Sequence, residues 1–502
     1  MEQVAHRSTP ATFLGMCHSR FFLAPPLALL LFLSACGGGG GGAGNSGEPS
    51  LASVRTLAYQ VNHCRETAAA YSGQQTLQIR QGNSDPVSVD AATLTVMQEP
   101  PVLPGVCRLY GMSRLGFVAA LAGGIQRLGV SPDGSAVVFE KTNRFSILGY
   151  PPLPPDEEGF FVVQADGSGL RQLGPASRES ITRFAFGASY PNGFEIGYDP
   201  TPLSFSADGQ TIVFSDRGPG PAGEDAAQVM TLDLETGTRR QVTRLPQAPP
   251  ADPPDPLRRD VDSVRFLTDG RIWFVTFAYG AAGGIFTVKP DGSDLTQFQE
   301  PIVQPGSVID PNFEITSGQA WAWREDLPGG ASEIFLSDPL GDDLQLTDFG
   351  RRDTNRGTID IDGQRVYFLA SADPLGHNPF ENCQIFSIGV LGNDLQQLTE
   401  FSQGGNSTLG CGPGGGTAGG GGPLPGCISR EPRQEPTNRA LVFASSCDPL
   451  VGDNPNGEQV FAMYPDGTGL QQLTDARGFT TEADGTVDVE LPGPFASTAV
   501  RR

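Results

Sequence analysis

The chain has 502 residues, with 56 acidic side chains against 33 basic ones and a net charge of −23. A surface of that sign repels DNA, RNA and anionic lipid headgroups, and no basic tract offsets it, so nucleic-acid binding is excluded as a role. Hydrophobic residues are 38% of the chain, enough for a core, and past the N-terminus no apolar run is long enough to span a membrane.

Residues 1–35 read as a targeting segment, with Arg7 and Arg20 ahead of an apolar run from Phe21 to Ala35 that is short for a membrane span. The run ends in Leu33-Ser34-Ala35-Cys36, which looks like a lipoprotein signal-peptidase site, and Met16 is an alternative start that would leave a more ordinary signal. Loss of Glu2, Arg7 and Arg20 with the signal takes the charge from −23 to −24. Cys36 would then carry diacylglycerol on its thiol and a third acyl chain on its amine, and more than one chain is what stable anchoring needs. Residues 36–50 follow as a glycine-rich tether. Gly37 is not the aspartate that usually retains such lipoproteins in the inner membrane, so by analogy with them an outer-membrane site is expected, facing the periplasm or the cell surface.

Residues 51–124 form an N-terminal extension that holds two strand-like stretches, Val54 to Val61 and Thr76 to Arg80, and is bracketed by Cys64 and Cys107. A small cap and a partial extra repeat both fit it.

From residue 125 the chain repeats. Val460 to Thr474 reads as an apolar strand, a Pro465-Asp466-Gly467 turn and a second strand ending in Leu473-Thr474. Asp-Gly between two alternating runs is a strong hairpin signal, because glycine accepts the positive φ of a tight turn. The unit recurs at Phe161 to Leu173, Met230 to Thr243, Phe286 to Leu295, Phe335 to Thr347 and Phe386 to Thr399. In five of the six copies an aromatic stands six residues before the turn glycine. A second unit precedes each copy: Ser131-Pro132-Asp133-Gly134 before Val138-Phe139 and Ser206-Ala207-Asp208-Gly209 before Val213-Phe214 are the clearest. Two hairpins in alternation give four strands per module and six modules over 125–475. Radial packing of such sheets buries both apolar faces of each, so the expected fold is all-β, a six-bladed β-propeller.

These motifs, Ser-Pro-Asp-Gly-x3-Val-Phe and Phe-x4-Asp-Gly-x2-Leu-x2-Leu, resemble the TolB-like β-propeller repeat of bacterial periplasmic and surface proteins. The resemblance implies the fold. It leaves function open, since such propellers serve as binding modules, scaffolds and gating domains of peptidases. TolB also has an N-terminal α/β domain, which this chain does not show, so its role in the Tol complex is not carried over.

The tail, residues 476–502, holds an alternating strand from Thr486 to Leu491, expected to close the ring by completing a blade at the other end. Long insertions at Thr142 to Glu158, Asp216 to Ala227, Ser371 to Asn382, Leu245 to Asp260 and Ser402 to Pro432 all fall in B–C or D–A connections. These emerge on one face, opposite the tight Asp-Gly turns, and variable loops on a rigid scaffold are where binding sits. Tyr150, Pro151, Pro152, Arg217, Arg258, Arg259 and His377 are the candidate binding residues there.

Cys64, Cys107, Cys383, Cys411, Cys427 and Cys447 remain once the signal and Cys36 are set aside, an even number that suggests disulfides in an exported chain. Strand placement sets Cys383, Cys411, Cys427 and Cys447 on one face and leaves Cys64 with Cys107; the entropy of the glycine-rich loop favours Cys411–Cys427 with Cys383–Cys447, and the alternative crosses them as Cys383–Cys411 and Cys427–Cys447. No catalytic motif, metal-ligand spacing or cofactor fingerprint is present. Asp448, Asp453, Asn454, Asn456 and Glu458 are rich in oxygen but lack the spacing of a calcium loop, and turn capping explains them. The reading is an anchored binding or scaffold module for a protein, peptide or envelope polymer, with no cofactor and no catalysis. A carboxylate-based hydrolase or lyase working on a glycan in the channel, and a structural envelope protein without a discrete ligand, are the alternatives.

Overall fold

The computed structural model describes residues 54–98, 107, 124–142, 153–179, 203–247, 261–267, 269–276, 284–299, 314–315, 321–327, 331–337, 343–350, 360–361, 364–379, 383–401, 429–434, 439–445, 447 and 459–497. Three strands open the chain: β1 (Thr56–Glu66), β2 (Tyr71–Gln81) and β3 (Val87–Gln98). The first blade is β4–β7 (Gly124–Val130, Ala136–Thr142, Gly159–Gln164, Arg171–Gly174) and the second β8–β11 (Ser204–Phe205, Thr211–Pro219, Asp225–Asp233, Arg239–Gln241). The third is β12–β15 (Val261–Phe266, Ile272–Thr276, Gly284–Val288, Thr296–Gln299) and the fourth β16–β19 (Glu314–Ile315, Trp321–Asp326, Ser332–Ser337, Asp343–Gln345). The fifth is β20–β23 (Asp360–Ile361, Arg365–Ala370, Gln384–Gly389, Gln396–Gln397) and the sixth β24–β27 (Ser429–Gln434, Leu441–Ser445, Gln459–Met463, Gln471–Gln472). Two strands end it, β28 (Gly478–Thr481) and β29 (Val487–Ser497).

Each blade is a four-stranded antiparallel meander, so the six-bladed β-propeller expected from the repeats is the fold. The repeated aromatic has a definite job. In four blades it stands directly across from another phenylalanine on the preceding strand: Phe139 with Phe161, Phe274 with Phe286, Phe368 with Phe386, and Phe443 with Phe461. These rings stack at 5.4, 5.6, 5.9 and 5.7 Å between centroids. Such cross-strand pairs add about 1 kcal/mol each beyond area burial and fix the register of the two central strands.

The turn glycine is fixed twice over. Gly237, Gly292 and Gly467 have φ of 70°, 85° and 82°. A Cβ at these positions would also lie 2.5, 2.6 and 2.8 Å from the carbonyl oxygens of Leu173, Val242 and Leu398 on the preceding blade. Blades therefore dock backbone to backbone at these turns, and any side chain would push them apart.

In the second, fifth and sixth blades the Leu-Thr that ends the unit closes a clamp. In the second blade the Thr243 hydroxyl accepts from the Val229 amide (2.9 Å) and donates to Gln228 Oε1 (2.9 Å). That carboxamide accepts from the Leu245 amide and donates to the Leu245 carbonyl, both at 2.8 Å. Gln384 with Thr399 and Gln459 with Thr474 repeat the pattern in the fifth and sixth blades, on Phe401 and Ala476. All three glutamines are buried, so each satisfied bond avoids the cost of an unpaired polar group.

The termini build a further sheet, ordered β28-β29-β1-β2-β3. β1 runs antiparallel to β29, with Leu57 across from Ser497 and Glu66 across from Val487. This five-stranded sheet shares one core with the first blade (Ala58, Leu77 and Ile79 against Val137, Phe139 and Phe161). Its other face shares a core with the sixth blade (Leu57 and Tyr59 against Val442, Val460 and Ala462). It therefore sits between the last blade and the first. The tail strand pairs with β1 of the N-terminal extension, which supplies it with a strand edge. Among the described residues no helix is long and apolar enough to cross a membrane.

The fourth blade departs from the clamp. Glu333 stands where the second, fifth and sixth blades carry glutamine, accepting from the Thr347 hydroxyl (2.6 Å) and the Gly350 amide (2.8 Å) with no donor to offer. Its side chain is fully buried. Glu333→Gln removes a buried charge and restores the donor, so the thermal midpoint is expected to rise by about 1–3 °C in calorimetry. A fall would mean that the carboxylate itself is required.

Candidate functional site

Along each blade the A–B and C–D turns lie on one face and the B–C and D–A connections on the other. The turn face is sealed by the glycine contacts described above and by aspartates that cap their own turns. Asp166 accepts from the Ser168 hydroxyl (2.6 Å) and amide (2.9 Å); Asp291 with Ser293 and Asp466 with Thr468 do the same. The side-chain hydroxyl bonds, then the amide bonds, hold these carboxyls below the usual aspartate range. These carboxylates are committed to their turns.

On the opposite face the second blade carries the most developed structure. Asp216 to Ala227, expected as a loop, is instead a continuation of the β9–β10 ladder: Ala227 pairs with Arg217 and Asp225 with Pro219, leaving only residues 220–224 as the turn. The reason is electrostatic. Arg217 donates to Glu179 (2.8 Å) and to Asp225 (3.0 Å), which braces both strands of the extension against the exit of the first blade. Arg178 pairs with Asp225 at 3.2 Å, and its amide donates to Asp216. Arg239 donates to the other Asp216 oxygen at 2.8 Å while its guanidinium lies 5.3 and 5.2 Å from the Phe160 and Phe214 ring centroids. Deeper in, Arg127 lies 3.5 Å from Glu140, whose other oxygen accepts from the Ser177 amide.

The side chains of Glu179 and Asp216 are only 6% and 8% exposed, so these pairs are little screened by salt. Cations and anions match within the cluster. It therefore fixes the first blade's D–A exit to the second blade's B–C hairpin, and offers no unengaged acid for proton transfer. Arg217, singled out as a binding residue, is a brace. His377 is exposed, with Nδ1 3.7 Å from Glu400, and its carbonyl accepts from Gln397. Tyr150, Pro151, Pro152, Arg258 and Arg259 lie outside the described residues, as does Cys36.

In the fifth blade the B–C loop is organised by a residue that sequence reading passed over. Asn378 is buried; its amide group donates to the Ser371 and Ala372 carbonyls (3.3 and 3.1 Å) and accepts from Gln384 (3.1 Å). The signal is an internal repeat: Asp373-Pro374-Leu375, Asn378-Pro379 and Gln384 correspond to Asp448-Pro449-Leu450, Asn454-Pro455 and Gln459. Asp448, Asp453, Asn454, Asn456 and Glu458 themselves lie outside the described residues. Among the described residues no group of three or more His, Cys, Asp and Glu is placed to hold a metal ion.

Cys64 and Cys107 are joined, with Cα atoms 5.5 Å apart. Cys383 and Cys447 are both buried and both disulfide-bonded. Cys411 and Cys427 lie outside the described residues.

The class defined by this architecture is a six-bladed β-propeller built of TolB-like repeats, with an ionic, insertion-bearing face and a sealed turn face. No family model matches the chain, and no curated protein does. Solved structures do resemble it. TolB from Acinetobacter baumannii is 14% identical, covering 87% of this chain and 82% of its own, with a TM-score of 0.34. Oligogalacturonate lyase from Vibrio parahaemolyticus is 10% identical over 88% of this chain and 98% of its own, at 0.38. A prolyl endopeptidase is 10% identical over 86% of this chain and 54% of its own, at 0.44. Likenesses at these identities speak to fold alone, and they leave open whether this chain is an enzyme.

The register of the sixth blade bears on the disulfides. Ser429 pairs with Ser445 at the start of β24 and the end of β25. A ladder that ran on in that register by two residues would set Cys427 opposite Cys447, within disulfide reach. Non-reducing peptide mapping is therefore expected to link Cys427 with Cys447 and Cys383 with Cys411, the crossed alternative. A Cys411–Cys427 peptide would show that the ladder does not continue.

Proposed function

We propose that this chain is an exported binding module that presents its B–C and D–A insertions to a protein, peptide or envelope polymer. One observation carries the reading. The turn face is committed to blade-to-blade contact through Gly237, Gly292 and Gly467, whereas the long insertions of the sequence belong to connections of the opposite face, where Glu179 braces Arg217. Variable segments on a rigid support are the usual seat of recognition. Catalysis is not part of this reading, since Glu179 and Asp216, the buried acids nearest that face, are held in arginine pairs. In the same reading Cys36 carries the lipid and the module works from the outer membrane, in the periplasm or at the surface.

Two measurements test it. Residues 143–152 or 248–260 can be replaced by a short glycine-containing turn, sparing the Thr142–Glu158 hydrogen bond of 2.5 Å. Loop closure depends weakly on length, so the melting transition should move little, while affinity for the native pull-down partner should fall by about tenfold or more. Unchanged binding in both variants, with loss on altering the turn face, would reverse the assignment. Purified protein that turns over a glycan would replace the reading with an enzymatic one. Separately, Cys36→Ser should move the protein from the membrane to the soluble periplasmic fraction; continued membrane association with palmitate labelling would remove the anchor.

A further inference from the structure

Lysine occurs twice in the chain, as Lys141 and Lys289. Lys289 is exposed on a turn, 3.5 Å from Asp294. Lys141, near the end of β5, is only 3% exposed, and its amino group makes no hydrogen bond or ion pair among the described residues. Burial holds that amine below the ordinary lysine range, with the Glu157 carboxylate working in the opposite direction. Burying a lysine that has no partner among the described residues is costly, which favours a use for it.

Strand alternation shows what it faces. Val137 and Phe139, the neighbours of Lys141 on the same face of β5, pack against Ala58, Leu77 and Ile79 of the terminal sheet. On β1 the residues that share the face of Ala58 are Thr56, Gln60 and Asn62, and the Thr56 hydroxyl reaches the first blade at the Gly134 carbonyl (2.8 Å). The levels also match. Asn62 pairs with Gln75 across β1 and β2, and the Gln75 amide lies against Gly124 so closely that a Cβ there would be 1.5 Å from Oε1. Gly124 and Ile125 are the register partners of Thr142 and Lys141. Gln60 and Asn62 thus stand at the height of Lys141, on the facing sheet.

Both amides are fully buried. Gln60 Nε2 donates to Asn62 Oδ1 at 2.6 Å, which leaves Gln60 Oε1 and Asn62 Nδ2 with no partner. Inverting both amides reverses the bond and again leaves one donor and one acceptor. Besides Gln75 Oε1, a further buried acceptor, the junction presents the Lys141 amine, one amide donor and one amide acceptor.

We propose that the junction between the terminal sheet and the first blade is a binding site for a small hydroxycarboxylate, its carboxylate taken by Lys141 and Asn62 and its hydroxyl donated to Gln60. A carboxylate matches the amine and the amide donor, and a hydroxyl matches the remaining acceptor. The site lies between the two sheets at the end of β5, where the Thr142–Glu158 connection leaves the first blade, and it does not rest on the macromolecular reading of the insertion-bearing face.

Glycolate, the smallest member of the class, is the probe, with acetate as the control lacking the hydroxyl. Glycolate should raise the thermal midpoint of the full chain by roughly 3–5 °C at a hundredfold excess over Kd. Acetate should give a clearly smaller shift. Lys141→Met should fold and lose the glycolate shift, whereas Lys289→Met should keep it. A second measurement needs no variant: glycolate should slow acylation of Lys141 by an amine-directed reagent, read by mass spectrometry, without slowing that of Lys289. No shift, equal shifts from the two acids, an unchanged shift in Lys141→Met, or equal labelling of Lys141 with and without glycolate would overturn the proposal.

Discussion

A β-sheet with two apolar faces cannot stand at the end of a row, and the rest of this structure depends on that constraint. Each blade buries one face against its predecessor and one against its successor, so the ring must close. Closure falls to strands from opposite ends of the chain. β1 lies along β29 from Leu57–Ser497 to Glu66–Val487, and the resulting sheet gives one apolar face to the first blade and the other to the sixth. The pairing joins segments more than four hundred residues apart, so its loop-closure entropy is offset only once the intervening blades are formed.

Closure also divides the molecule's labour. The turn face is spent on backbone contacts between blades, where a single Cβ would collide with a neighbouring carbonyl. The opposite face is spaced by ionic braces such as Arg217 between Glu179 and Asp225, which hold connections in place while leaving their tips free to vary. The closing sheet adds a second feature, because it is where buried polar side chains such as Gln60 and Asn62 meet the first blade in place of further apolar packing.

Much of the fold was legible in the sequence because its strongest signals are local. The interval from aromatic to glycine records a cross-strand ring pair and a positive-φ turn, both confined to one blade. The terminal threonine was visible as a repeat, although its partner Gln459 lies across the hairpin and its role appears only in the hydrogen bonds. What escaped was non-local. β3 was not read as a strand, since its pairing with β2 depends on a sheet completed by the C-terminus. The extension of β9 and β10 through residues 216–227 was read as a loop, since Gly218, Pro219 and Gly220 signal a break that the arginine pairs override. Arg217 was legible as a conspicuous charge on the right face, but its two carboxylates come from different elements, and only the fold shows that it is engaged.

Hydrogen exchange read by mass spectrometry tests ring closure most directly. If both termini complete the ring, amides of β1 and β29 should share the slow exchange of β25 and β26 in the sixth blade and open only with the whole molecule. Exchange of the β29 peptide within seconds, while the sixth blade stays protected, would mean that the C-terminal strand is a frayed tail and that the ring is closed by other means.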